Sequence, residues 1–229
     1  MIRKAVVTLV CAFALLSSGA ALADRPDKDW KSWFGNFAVG YATIDGDEGG
    51  EAFEDDWYVE GGATLWPDSS PVGLNLNASY SDYDAKSSVI RMINDALEAD
   101  GQGRPLTGGD ASLWGITADG VWGTRGSGTF GFSVAAGAGL YYYDTRVLAP
   151  GIVTYPPVCG WYWCVPGGVA PGTVAAKVDS DWEWGWNVGV GVSFEVGNSG
   201  SQIYVEVKYH EIQTDRDVEI TPLVIGYRW

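Results

Sequence analysis

Five charged residues stand out by where they fall. Glu60, Asp119, Glu206, Lys208 and Arg228 sit within stretches of apolar and small residues, on the alternate positions that carry the polar side chains. Two cations among three acids can pair into a buried ion network or line a charged gate. His210 is the only histidine. Histidine is the commonest general base, and nucleophilic catalysis would pair it with a serine and an acid. The residues that follow it, Glu211 and Ile212, supply no nucleophile. Cys159 and Cys164 bracket an aromatic run, "CGWYWC". Their spacing is not the Cys-x-x-Cys of redox motifs, and no four-ligand zinc set lies nearby. Asp45 to Asp56 read "DGDEGGEAFEDD", a faint echo of a calcium loop. Gly49 replaces one ligand of that motif and Asp56 replaces the bidentate glutamate. The stretch therefore reads as a solvated acidic loop able to share divalent cations with other anions, and no dedicated metal site is expected.

Period-two alternation shows which elements must position these residues. In "VGLNLNASYS", Val72, Leu74, Leu76, Ala78 and Tyr80 share one face, and Asn75, Asn77, Ser79 and Ser81 the other. In "DWEWGWNVGVGVSFEV", Trp182, Trp184, Trp186, Val188, Val190, Val192 and Phe194 alternate with small and polar residues. Eight such runs occur, at about 33–44, 56–66, 72–83, 111–122, 129–144, 180–195, 202–213 and 219–229. Tight turns rich in Gly, Pro, Asn and Ser follow Trp66, Gly123 and Val196. Longer connections span 45–55, 84–110 and 145–179. Short turns at one end and long loops at the other predict an all-β, eight-stranded antiparallel transmembrane β-barrel with up-and-down meander connectivity. Each run has about the ten residues a tilted strand needs to cross a bilayer. A soluble barrel would carry charges freely on its outer face. Here the second face is mostly Gly, Ala, Ser and Asn, which suits a narrow lumen. Trp33, Trp57, Trp66, Trp114, Trp122 and the 182/184/186 ladder are expected to form aromatic girdles.

The N-terminus reads as a secretory signal peptide over residues 1–23. "MIRK" is basic, "AVVTLVCAFALL" is a short apolar core, and "ALA" ends a small-residue cleavage site. Residues 24–229 then form one barrel domain. Removing Arg3 and Lys4 takes the formal charge from −15 to −17. So acidic a chain is not expected to bind nucleic acid, which needs a basic face. The composition has 32 Gly, 12 Trp and 12 Tyr but only 2 Met, which favours strands over helices. No apolar stretch beyond the leader is long enough for a membrane-spanning helix.

The ending carries a resemblance. Leu223, Ile225, Tyr227 and Trp229 alternate, with Gly226 and Arg228 between them. This resembles the C-terminal sorting signal of bacterial outer-membrane barrels. The stretch "YVEVKYHEIQT…ITPLVIGYRW" resembles the last hairpin of the OmpA/OmpX-like outer-membrane β-barrel superfamily. The resemblance implies a Gram-negative cell outer membrane, with the barrel assembly machinery as partner during insertion. It also implies outer-membrane lipid and lipopolysaccharide as surroundings, a periplasmic N-terminus and extracellular long loops. No OmpA-type peptidoglycan-binding domain is expected after the barrel. The His-x-Ser pattern of lipid A deacylases is missing at His210.

Three loop features remain. Val89, Met92, Ile93, Ala96 and Leu97 repeat at helical spacing, with Ser88 able to start a helix and Gly101 to end it. Cys159 and Cys164 in an oxidising compartment predict a disulfide, whose small ring contributes roughly 2 kcal/mol. The flanks "LAPGIV" and "VAPGTV" echo each other, so the loop is expected to fold back as an extended hairpin with the disulfide near its tip. Trp161, Tyr162 and Trp163 would then form an aromatic knob, fit either to bind a surface ligand or to fold over the mouth. The expected function is non-enzymatic, structural or interacting through the loops, with no cofactor. A small porin-like channel and a lipid A-modifying enzyme are the competing readings.

Overall fold

A computed structural model describes residues 33–45, 52–67, 70–99, 105–123, 130–155, 157–159, 164–165, 168–197, 201–214 and 217–229. Eight long strands build the wall: β1 (Trp33–Asp45), β2 (Asp56–Leu65), β3 (Val72–Asp84), β4 (Gly108–Gly123), β5 (Phe130–Tyr155), β8 (Gly168–Val196), β9 (Ser201–Ile212) and β10 (Val218–Arg228). Between β5 and β8 lie two short strands, β6 (Val158–Cys159) and β7 (Cys164–Val165). Among the described residues one helix, α1 (Ser87–Ala99), precedes β4. Each long strand pairs antiparallel with its neighbours in sequence, and β1 pairs with β10 to close the barrel. Closure removes the sheet edges, so every wall strand has a partner on both sides.

The seam is continuous. Asn36 pairs with Arg228, Val39 with Ile225 and Tyr41 with Leu223. Gly35 and Trp229 exchange backbone hydrogen bonds of 3.1 and 3.0 Å. Because side chains alternate, this register sends Leu223, Ile225, Tyr227 and Trp229 outward, each between 44% and 55% exposed. Phe37, Val39, Leu74, Leu76, Ile116 and Ile203 are exposed on other strands at matching levels. Such a continuous apolar band far exceeds what a soluble monomer exposes. Towards the long loops it is bordered by Trp57, Tyr80 and Trp114, whose rings contact in series at 5.3 and 4.6 Å. Tyr142 and Trp182 continue this border at 5.3 Å. Near the short turns, Phe130 meets Phe194 edge-on, and Tyr227 stacks on Trp229. From Val72 to Tyr80 the band covers about 27 Å of strand, the scale of a tilted bilayer crossing.

One feature departs from the expected layout, and a second, the fold-back hairpin expected in the longest loop, proves to be a continuation of the wall strands. Trp66 belongs to the interior and not to a girdle. It is buried with Phe34, Val121 and Ala135, and its indole N–H donates to the Ser70 carbonyl at 2.9 Å. It continues the inward parity of Tyr58, Glu60 and Thr64 on β2, so alternation itself turns its side chain into the lumen. Second, residues 145–179 are mostly strand. β5 and β8 stay paired from Phe130↔Phe194 to Tyr155↔Gly168, with a register shift at Thr145/Arg146. β4 accompanies them only as far as Gly108↔Leu148. Beyond that, Ala149–Tyr155 and Gly168–Val174 form a two-stranded arm of about 23 Å. At its tip Val158 pairs with Val165 and Cys159 with Cys164 along the backbone. The side chains of those cysteines lie outside the described residues, as do Trp161, Tyr162 and Trp163.

The helix is where the apolar spacing puts it. Backbone N–H groups of Val89 and Ile90 donate to the Lys86 carbonyl. Asn94 ties α1 to the returning chain, donating to the Leu106 carbonyl at 2.9 Å and accepting from its N–H at 2.6 Å. Met92 is exposed rather than packed. Gly101 and residues 46–51 of the acidic loop lie outside the described residues.

Candidate functional site

The lumen is filled in layers, and each layer follows from side-chain alternation. Nearest the short turns sit Phe34, Trp66, Val121 and Ala135. Just above them the Arg228 guanidinium lies 4.9 Å over the Tyr204 ring. The next layer is polar. Asn75 Oδ1 accepts from Asn36 Nδ2 at 3.2 Å and from Thr64 Oγ1 at 3.0 Å.

Lys208 is the centre of the middle layer. Its ammonium is 3.2 Å from Glu60 Oε2, 3.0 Å from Glu206 Oε1 and 3.7 Å from Asp119 Oδ2. All four residues are buried. Asn187 Nδ2 donates to Asp119 Oδ1 at 2.8 Å. Asn77, oriented so that its oxygen faces donors, accepts from Lys208 Nζ at 3.2 Å and from Asn75 Nδ2 at 2.7 Å. One cation thus joins carboxylates carried by β2, β4 and β9, across the width of the barrel. Small residues give it room. A Cβ at Gly189 would sit 2.6 Å from Lys208 Cγ.

Of the five lumen charges singled out in the sequence, four meet here. Arg228 makes no ion pair among the described residues. The register explains its position: Glu206 pairs with Val224, whereas Arg228 pairs with Gln202. Four residues of strand place it about 13 Å from the level of Glu206. The Tyr204 face takes its charge instead.

Above Lys208 the lumen turns aromatic and aliphatic. Tyr58, Tyr83, Tyr141, Ile212 and Ile220 are all buried there. His210 lies among them, 3% exposed, with Nδ1 and the Tyr141 hydroxyl 2.8 Å apart. No hydrogen bond joins it to a serine or a carboxylate among the described residues, so it lacks the partners of a nucleophile-activating base. Among the described residues no group of three His, Cys, Asp or Glu side chains is placed to hold a metal ion.

At the long-loop end a cavity of about 380 Å³ rests on this floor. Phe53, Leu113 and Val218 form its walls, and Asp179 and Glu183 its charged side. The sequence offered no sign of it, because seven strands and the segment before β2 contribute its lining.

The sequence matches no protein-family profile and no curated protein. Solved structures do match. Neisserial surface protein A is similar at a TM-score of 0.52 and 13% identity, over 86% of this chain and 96% of that one. OprG from Pseudomonas aeruginosa follows at a TM-score of 0.44 and 12% identity, over 87% of this chain and 97% of that one. Ail of Yersinia pestis, solved with the heparin analogue sucrose octasulfate, gives 0.43 and 13%, over 87% of this chain and 100% of that one. Strand number and closure agree with the first of these likenesses. In fold the chain is a closed eight-stranded antiparallel β-barrel like Neisserial surface protein A. The features of this barrel that bear on function are the Lys208 cluster, the cavity above it and the long β5–β8 arm.

Proposed function

We propose that this protein is a non-conducting, non-enzymatic barrel of the Gram-negative outer membrane that acts through its outer loops. The observation that carries the reading is the layered lumen, with Lys208 bound to three carboxylates between two apolar plugs. A porin-like path would need a continuous polar channel. A lipid A-modifying enzyme would need a serine and an acid at histidine, and the partner of His210 is Tyr141. In this reading residues 1–23 are a cleaved leader, the short turns face the periplasm and the long loops face outward. The barrel assembly machinery reads Leu223, Ile225, Tyr227 and Trp229 during insertion. Lipopolysaccharide surrounds the outer rim, where the acidic loop 45–56 meets its phosphates through shared divalent cations.

The arm is the interacting element. Ile152 and Val169 on it are each 70% exposed. A two-stranded ribbon is marginal by itself in water. A disulfide between Cys159 and Cys164 would fasten it, since direct antiparallel partners have Cα atoms at a separation that a disulfide accepts. Trp161, Tyr162 and Trp163, which the sequence sets between those cysteines, would supply rings able to stack on sugars. Cells displaying the protein should bind to a glycan array. Deleting residues 149–175, or replacing the three knob aromatics with Ala, should lower that binding about tenfold or more while leaving membrane insertion intact. Equal binding by the intact and altered proteins would refute the interacting arm.

A further inference from the structure

The cavity at the long-loop end has a chemistry of its own. Its floor and walls are apolar: Tyr83, Ile212 and Ile220 are each buried to 2% exposure or less, and Leu113 and Val218 pack beside them. Among the described lining residues the charged groups are both acids, Asp179 and Glu183, and none is Lys, Arg or His. Asp179 is held in place, because the Tyr143 hydroxyl donates to its Oδ2 at 3.0 Å. The volume, about 380 Å³, lies in the range of small-molecule sites.

From this geometry we propose that the cavity is a binding site for a small hydrophobic amine, an aryl- or alkylammonium ion. The apolar floor takes the hydrocarbon body, and the ammonium pairs with Asp179 and Glu183 at the side. A neutral apolar guest would strip water from two carboxylates and return no partner, which is costly. An anion would face two like charges. A bare metal ion would find apolar walls where it needs oxygen ligands. The net charge of −15 draws cations towards the mouth over longer distances. This inference goes beyond the proposed function and holds whether or not the arm touches a partner.

The test uses the full barrel in phospholipid nanodiscs, with empty nanodiscs subtracted. Titration calorimetry would compare 4-phenylbutylamine with 4-phenylbutanol, which share a body and differ in charge. The amine should bind about tenfold more tightly, the size expected of charge-assisted hydrogen bonds. The double variant Asp179→Asn/Glu183→Gln should lose that preference and keep the alcohol affinity. A second variant, Leu113→Trp, should weaken both ligands by filling the cavity. Unchanged heat-modifiable gel mobility would confirm that each variant is folded. Equal affinity for amine and alcohol, a preference that survives in the double variant, or no saturable binding would each overturn the proposal.

Discussion

Lys208→Met should destabilise the folded barrel by about 3–5 kcal/mol, the cost of breaking a buried ion network by removing one partner. The side chain of Lys208 is 3% exposed and lies within 4 Å of Glu60, Asp119 and Glu206. Without the ammonium, three carboxylates share one layer with no cation, and mutual repulsion adds to their desolvation. Urea unfolding in phospholipid vesicles, followed by tryptophan fluorescence, measures the loss. Adding Glu60→Gln, Asp119→Asn and Glu206→Gln to Lys208→Met should recover most of the loss, because amides need no counter-charge. A single variant as stable as the parent at neutral pH would mean that Lys208 does not hold the lumen together.

Gly40→Val should prevent or severely weaken closure of the barrel, at a cost of at least about 3 kcal/mol. Gly40 pairs with Val224 across the β1–β10 seam. A Cβ there would press on the Leu223 carbonyl oxygen and come within 2.7 Å of Val224 Cα. These are backbone atoms, so no side-chain rotation makes room. The seam cannot shift by one residue either, since that would turn Leu223, Ile225 and Tyr227 into the lumen and Arg228 into lipid. Gel mobility with and without heating separates closed from open barrels. A Gly40→Val protein that shifts on heating as the parent does would show that the seam tolerates bulk.

Strand alternation made much of this architecture readable in the sequence. The polar positions of eight runs map to the lumen, and Leu223, Ile225, Tyr227 and Trp229 map to the outer band, because a side-chain period of two leaves no third direction. The sequence is less informative where alternation stops or where neighbours are far apart along the chain. Trp66 is a different case: it shares the parity of Glu60 and Thr64, so its inward direction was legible, and only its place at a strand end suggested a girdle. The arm was legible as a fold-back hairpin from its echoed flanks, "LAPGIV" and "VAPGTV", but its Pro150, Pro171 and glycines gave no sign that it continues β5 and β8. Yet Pro150 pairs with Thr173 and Pro171 with Ile152 on a ribbon with two free edges, where a missing N–H costs little. The parity of Arg228 was plain, but its level depended on registers that no local pattern encodes. The cavity is the extreme case, with walls from residues that sequence separates by as much as 176 positions, Ile44 to Ile220.

The central claim is that the lumen is closed by its own side chains. Single-channel recording of the refolded wild-type protein in a planar lipid bilayer tests it most directly. The layered interior predicts a quiet membrane, with no steady conductance step after insertion is verified by heat-modifiable mobility. A reproducible open step of uniform size would contradict it and make the protein a channel.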